Sequence, residues 1–160
     1  MLRTIKPSLC RRLDRGMEVH LYVQTPPPTT PATTRTMKGN RAKNTKPELL
    51  LRRLLREAGL PGYRLHWKKA PGRPDIAYPG RKVAVFVNGC YWHRCPHCNP
   101  PAPKANAEFW EAKFVANEAR DARQLAELEA AGWTVITVWE CELKRDPSSA
   151  VRSVIEVLQR

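Results

Sequence analysis

No stretch of this sequence comes near the ~20 consecutive apolar residues that cross a bilayer. The basic N-terminus, MLRTIKPSLCRRLDRG, lacks the apolar segment of a secretory signal, and a cytosolic protein is expected. Acidic residues are scarce as well: fifteen Asp and Glu stand against twenty-eight Lys and Arg, a formal charge of +13. A chain this basic normally meets a polyanion, nucleic acid first and an anionic membrane surface second. The cysteines lack an even count, since Cys10, Cys90, Cys95, Cys98 and Cys141 make five. Clustered in a reducing compartment, they point to metal ligation or thiol chemistry ahead of disulfides. No internal repeat is visible, and 160 residues suit one domain with a sizeable core.

The composition changes near residue 44. Before it, TPPPTTPATT can bury little apolar surface, and residues 1–44 carry nine Lys or Arg against only Asp14 and Glu18. A basic, Pro/Thr-rich, disordered tail is expected there, and Met17 and Met37 are alternative starts. Beyond it the pattern is globular. Thr45 as N-cap, Pro47 in the first turn and Glu48 at N3 open a helix whose stripe is Leu50, Leu51, Leu54 and Leu55, with Gly59 as its stop. Alternation at Tyr63, Leu65 and Trp67 predicts a strand, and APGRPD turns the chain into a second at Asp75. Lys82–Val87 is a continuous apolar run with the length of a buried strand. Asn106 should cap a helix reaching about Ala131, with Phe109, Phe114, Leu125 and Leu128 for the core. Trp133–Trp139 is another buried strand, and Asp146-Pro147 opens a last amphipathic helix. The predicted order is αβββαβα.

Residues 89–98 read GCYWHRCPHC, and several chemistries compete for them. A redox pair at Cys95 and Cys98 would want a thioredoxin-like βαβ context, which is missing. A nucleobase deaminase would want His-x-Glu, and His93-Arg94-Cys95 has no glutamate. A tetrahedral zinc site needs four thiolate or imidazole ligands, and the stretch is rich in both.

PELLLRRLL, PGRPD, VAVFVNGCYWHRCP, EFW, the Asp121 region and GWTVITVWECEL together resemble the very-short-patch repair (Vsr) endonucleases, across roughly residues 37–157. The resemblance implies an α/β, restriction-endonuclease-like core with a structural zinc site. It makes residues 37–160 the endonuclease domain and leaves 1–36 as the tail. It further implies a bacterial-type cytoplasmic enzyme working on the nucleoid, a monomer in contact with double-stranded DNA carrying a T:G mismatch and with mismatch-repair proteins, and with no membrane. The chemistry would be strand-specific, Mg²⁺-dependent nicking.

Each implied role has a plain rival. A lone Pro-Asp is most simply a turn cap, whereas the resemblance makes Asp75 a Mg²⁺ ligand, in keeping with that ion's taste for one or two carboxylates. Relatives of this fold in general supply a second acid and a lysine from the next strand. Here that strand ends Phe86-Val87-Asn88-Gly89 with neither, so Val87 is carried over as a backbone-carbonyl ligand and Asn88 in a supporting role. His93 becomes the general acid or base rather than a packed histidine, and Asp121 the carboxylate that orients it rather than an exposed helix charge. Glu48 is fully explained by its capping position, yet the resemblance also makes it an active-site carboxylate. Cys90, Cys95, His97 and Cys141 are the implied zinc ligands, with Cys98 as substitute for His97. Tyr91, Trp92 and Trp110 would stack on or wedge between bases. Arg52, Arg53, Lys104 and Lys113 would reach phosphates, or form solvated helix faces. Two rivals remain: a zinc-stapled DNA-binding module without catalysis, which leaves Asp75 and His93 unexplained, and a restriction- or transposition-type nuclease, which explains the aromatic pair less well.

Overall fold

The computed structural model describes residues 31, 34, 35 and 39–159. Apart from residues 31, 34 and 35, the expected tail lies outside them, as do Cys10 and both alternative starts.

Helix α1 (Lys46–Glu57) begins where the sequence predicts. The Thr45 side chain accepts from the Glu48 N–H, the Glu48 side chain accepts from the Thr45 N–H, and Pro47 stands in the first turn. Of its leucine stripe, Leu51 and Leu55 are fully buried, and Leu50 and Leu54 pack at the margin of the same cluster. Four strands follow in one sheet: β1 (Arg64–Leu65), β2 (Ile76–Tyr78), β3 (Val83–Asn88) and β4 (Thr134–Trp139). β1–β2 and β2–β3 pair antiparallel and β3–β4 pairs parallel, the last joined by the long helix α2 (Ala107–Ala130). A parallel pair needs such a crossover.

The continuous apolar run of β3 is explained by cover on both faces. Val83, Val85 and Val87 face one cluster, with Leu51, Leu55, Ile76, Val138, Leu143, Val154 and Leu158; Ala84 and Phe86 face the other, with Leu128, Trp67 and Trp133. Deleting a core leucine such as Leu51 should cost ~2–5 kcal/mol.

Four expectations need correction. The strand read as buried over Trp133–Trp139 begins at Thr134, and only Val138 in it is fully buried. The strand read from Tyr63, Leu65 and Trp67 shrinks to Arg64–Leu65, because His66 adopts a left-handed φ of 45° and breaks it. Asn106 occupies the N-cap position of α2 but is itself left-handed (φ 55°), and its side chain makes no capping bond. Leu125 is 41 % exposed, whereas Phe114 and Leu128 are buried as expected. One unexpected element separates β4 from the last helix: α3 (Glu140–Arg145), whose Glu142 side chain accepts from the Trp139 N–H at 2.9 Å. Helix α4 (Pro147–Gln159) then starts at Asp146, which accepts from the Ser149 N–H at 3.0 Å.

This topology delivers the site. Because β2 runs against β3, the start of β2 lies beside the end of β3, and the parallel β4 ends on that side too.

Candidate active site and thiol cluster

A cleft of about 1250 Å³ opens at that end of the sheet, and Glu48, His66, Asp75, Val87, His93 and Asp121 all line it. Asp75 immediately precedes β2, and its Oδ2 accepts the Val87 N–H at 2.8 Å. In an extended strand one residue's N–H and C=O leave the same edge, so the Val87 carbonyl also sits on the edge of β3 that faces Asp75. Burial pushes the Asp75 carboxyl above its ordinary value; the Val87 N–H opposes this, the charge of Glu48 adds to it, and His66 and Arg52 oppose it. A cation beside this half-buried carboxyl would favour its charged form.

His93 stands on the loop after β3. Its Nδ1 lies 2.5 Å from Asp121 Oδ2, and Asp121 Oδ1 accepts from Arg120 Nε and Nη2 at 3.2 and 2.9 Å. Burial alone would raise the Asp121 carboxyl, but the His93 bond and the Arg120 guanidinium outweigh it and hold it below its usual range. An ionised Asp121 can only accept, so Nδ1 carries the proton and the neutral ring keeps its lone pair at Nε2, as a general base requires.

Glu48 caps helix α1 as expected, whereas Arg52 differs from expectation. The carboxylate of Glu48 is saturated: Oε1 accepts from the Thr45 hydroxyl (2.9 Å) and N–H (3.3 Å), Oε2 from the Asn44 N–H (3.0 Å) and Arg52 Nη2 (2.6 Å). Arg52 is 4 % exposed. It cannot reach a phosphate, because its guanidinium is turned inward onto Glu48 and Asn44. Arg53, Lys104 and Lys113 remain exposed. The sequence reading missed His66, whose Nδ1 lies 3.6 Å from Asp75 Oδ1 and whose Nε2 lies 3.7 Å from Glu48 Oε2. Glu48, His66 and Asp75 each offer a ligand atom within 4.8 Å of the others. The missed signal was register: the β1–β2 ladder, continued by the His66 N–H to Asp75 carbonyl bond at 3.3 Å, sets these residues opposite each other.

Behind the His93 loop, the thiols of Cys90, Cys95, Cys98 and Cys141 lie within 4.8 Å of one another. A tetrahedral ion with ligand bonds of ~2.3 Å separates its sulfurs by about 3.8 Å, and Cys95 and Cys141 stand 3.6 Å apart, unbonded as a disulfide. The four thiols therefore fit a metal. Here the implied ligand set is corrected: Cys98 occupies the cluster, while His97 is half exposed and directs Nε2 toward Glu142 Oε1 at 3.5 Å. Burial pushes the Cys90 and Cys141 thiols up. At Cys95 burial is outweighed by the backbone N–H groups of Cys98 and His97, and this thiol lies below its ordinary value. The cluster ties the loop to the start of α3, and Asn117 Nδ2 ties it to α2 through the Trp92 carbonyl at 2.9 Å.

The expected aromatic probes come together. Tyr91 sits edge-on to Trp92, Trp110 and Phe114 at centroid distances of 5.1, 5.7 and 5.5 Å, and Trp92 also faces the cleft. Tyr91 thus anchors the group from within.

Comparison with known proteins assigns a class. The chain is 46 % identical over 107 residues to the type II nicking enzyme V.XorIIP of Xanthomonas oryzae, covering 67 % of this chain and 78 % of that one. It is 37 % identical over 139 residues to V.NaeI of Lentzea aerocolonigenes, a type II nicking enzyme (84 % and 82 % covered). Relatives of this kind, with a cleft of this composition, define a DNA endonuclease. The chain belongs to the Vsr family: the profile described as DNA mismatch endonuclease Vsr matches residues 29–99, and the DNA mismatch endonuclease Vsr of Escherichia coli K12 is 36 % identical over 109 residues, 68 % of this chain and 69 % of that enzyme.

Proposed function

We propose that the chain is a Mg²⁺-dependent, strand-specific nicking endonuclease that acts at T:G mismatches left by hydrolytic deamination of 5-methylcytosine, the first step of a DNA mismatch repair. The observation that carries this reading is the pair of opposed devices in one cleft: Asp75 beside the Val87 carbonyl, and the His93–Asp121 dyad. Asp75 and Val87 would hold the Mg²⁺, which supplies charge neutralisation at the scissile phosphate. His93 takes a proton at Nε2 from the attacking water, and Asp121 holds the ring and stabilises the imidazolium that results. Glu48 acts from behind the site, with both oxygens already engaged. Cys90, Cys95, Cys98 and Cys141 would bind a structural Zn²⁺ and so fix the loop that presents His93. Tyr91, Trp92 and Trp110 form the surface that tests base stacking.

The mixed sheet, with α2 crossing between β3 and β4, supports a restriction-endonuclease-like core within a domain of residues 37–160 preceded by a basic tail. Among the described residues, no helix is long and apolar enough to cross a membrane. The reading places the enzyme in the cytoplasm, a monomer on nucleoid DNA in contact with mismatch-repair proteins. The experiment is a nicking assay on supercoiled and mismatched DNA with Mg²⁺ or with EDTA, beside Asp75→Ala. Cleavage should require Mg²⁺ and vanish in the variant while DNA binding stays measurable, since the ion acts on charge that develops in the transition state. Binding without any Mg²⁺-dependent cleavage by the parent chain would favour the non-catalytic module.

A further inference from the structure

We infer that His66 is a positioning residue for Asp75, held in one tautomer by the buried Glu48–Arg52 pair. The inference rests on the reading of Asp75 as a metal ligand and adds a residue to that site. Its starting point is a chain of contacts: Glu48 Oε2 to Arg52 Nη2 at 2.6 Å, Arg52 Nη2 to His66 Nε2 at 3.2 Å, and His66 Nδ1 to Asp75 Oδ1 at 3.6 Å.

Chemistry fixes the direction of that chain. A guanidinium has donors only, so in its contact with Arg52 the His66 Nε2 must be the acceptor. Arg52 Nη2 carries two hydrogens, one for Glu48 and one for His66. The neutral ring then has its proton at Nδ1, on the side of Asp75. At 3.6 Å the Nδ1–H has not closed a hydrogen bond, but contacts of this kind tighten when a site is loaded. Asp75 is thereby addressed at both oxygens, by the Val87 N–H at Oδ2 and by His66 at Oδ1. A ring protonated at Nδ1 cannot ligate through that atom, so His66 orients the carboxylate and leaves the ion to it. The backbone supports the same role: the His66 N–H bonds to the Asp75 carbonyl at 3.3 Å, and the left-handed turn at His66 ends β1 beside Asp75.

Arg52 further argues for a positional purpose. It is buried, and its Nε has no hydrogen-bond partner among the described residues. A buried ion pair contributes little net stability over apolar packing, and this one leaves a donor unmet.

The test uses the full chain. Long-range ¹H–¹⁵N spectra of the metal-free protein should show His66 protonated at Nδ1 and bare at Nε2. His66→Ala should raise the Mg²⁺ concentration for half-maximal nicking about tenfold or more, the usual scale for an outer partner of a metal ligand, with DNA affinity unchanged. His66→Asn, whose amide nitrogen replaces Nδ1, should restore most of the loss, whereas His66→Gln, which replaces Nε2, should not. An Nε2-protonated ring, an unchanged Mg²⁺ requirement in His66→Ala, or rescue by Gln instead of Asn would overturn the inference. If Asp75→Ala itself still nicks at the parent rate, the underlying reading fails instead.

Discussion

At the scale of single residues, burial works against the charge of Asp75. Its carboxyl is raised above the unfolded value of ~3.9, so the native state holds the proton more tightly than the unfolded chain. Ionising Asp75 therefore costs native stability: the cost is absent below the unfolded pKa and complete once the pH has risen through the folded one. Asp75→Asn should melt higher than the parent in EDTA at neutral pH, and the gap should close near pH 4 and below. Thermal scans across pH will show it, and an unaltered or lower melting temperature at neutral pH would contradict it. Asp121 has the opposite sign: held below its usual range, it stabilises the fold above ~3.9, and the contribution is lost as pH falls through its folded value. His93→Ala and Asp121→Asn should each lower the nicking rate by on the order of 10²–10⁴-fold, the range for a positioned acid or base. Rates within a factor of a few of the parent would reduce the dyad to packing.

The same residues show what was legible in the sequence. Asp75, His93 and Asp121 were read by resemblance, and the structure brings all three to one cleft, with His93 paired to Asp121. Glu48 was legible for a local reason, since a capping box spans only four residues. His66 was not, because its partner is set by the register of two very short strands. Arg52 was misread, since a helix position alone does not say that Glu48 four residues earlier is buried and must be neutralised.

At the scale of elements, the loop after β3 and the turn before β2 are held by contacts that no periodicity announces. Cys98 stands in the thiol cluster with Cys90, Cys95 and Cys141, while the His97 imidazole is turned out toward Glu142. Spacing alone left both candidates open. Purified protein should carry one zinc per chain irrespective of Mg²⁺; Cys98→Ser should lower zinc occupancy and melting temperature together, since structural zinc binding is also folding free energy. His97→Ala should change neither. Elemental analysis with thermal melts reads both, and loss of zinc in His97→Ala would restore the ligand set implied by resemblance. The PGRPD turn depends on Gly72, whose φ is +66° and where a Cβ would stand 2.9 Å from the Gln124 side chain on α2. Gly72→Ala should destabilise the chain by about 1–2 kcal/mol for the left-handed backbone alone, read by denaturant titration. Helix α1 was predictable to the residue of its cap; α3 was not, because six residues between a strand and a proline carry too little periodicity.

At the scale of the whole molecule, a charge of +13 and an aromatic group beside a cleft make separate claims about DNA. The charge supplies affinity without sequence information, so binding to matched duplex should fall steeply with salt, about 10³-fold between ~50 and ~200 mM if on the order of six phosphates are neutralised. On the proposed reading the aromatics would supply discrimination, because unstacking costs less at a mispair; Trp92→Ala should weaken preference for mismatched DNA more than it weakens binding to matched DNA. The central claim joins these to the chemistry and is tested most directly by one panel: matched, T:G and other mismatched duplexes in varied sequence contexts, each strand labelled, incubated with Mg²⁺. The account predicts a single nick in the thymine-bearing strand beside the mismatched T, an intact opposite strand, and no cutting of matched DNA. Equal cutting of matched and T:G duplexes, or double-strand breaks as the first product, would contradict it and make the chain a restriction-type nuclease.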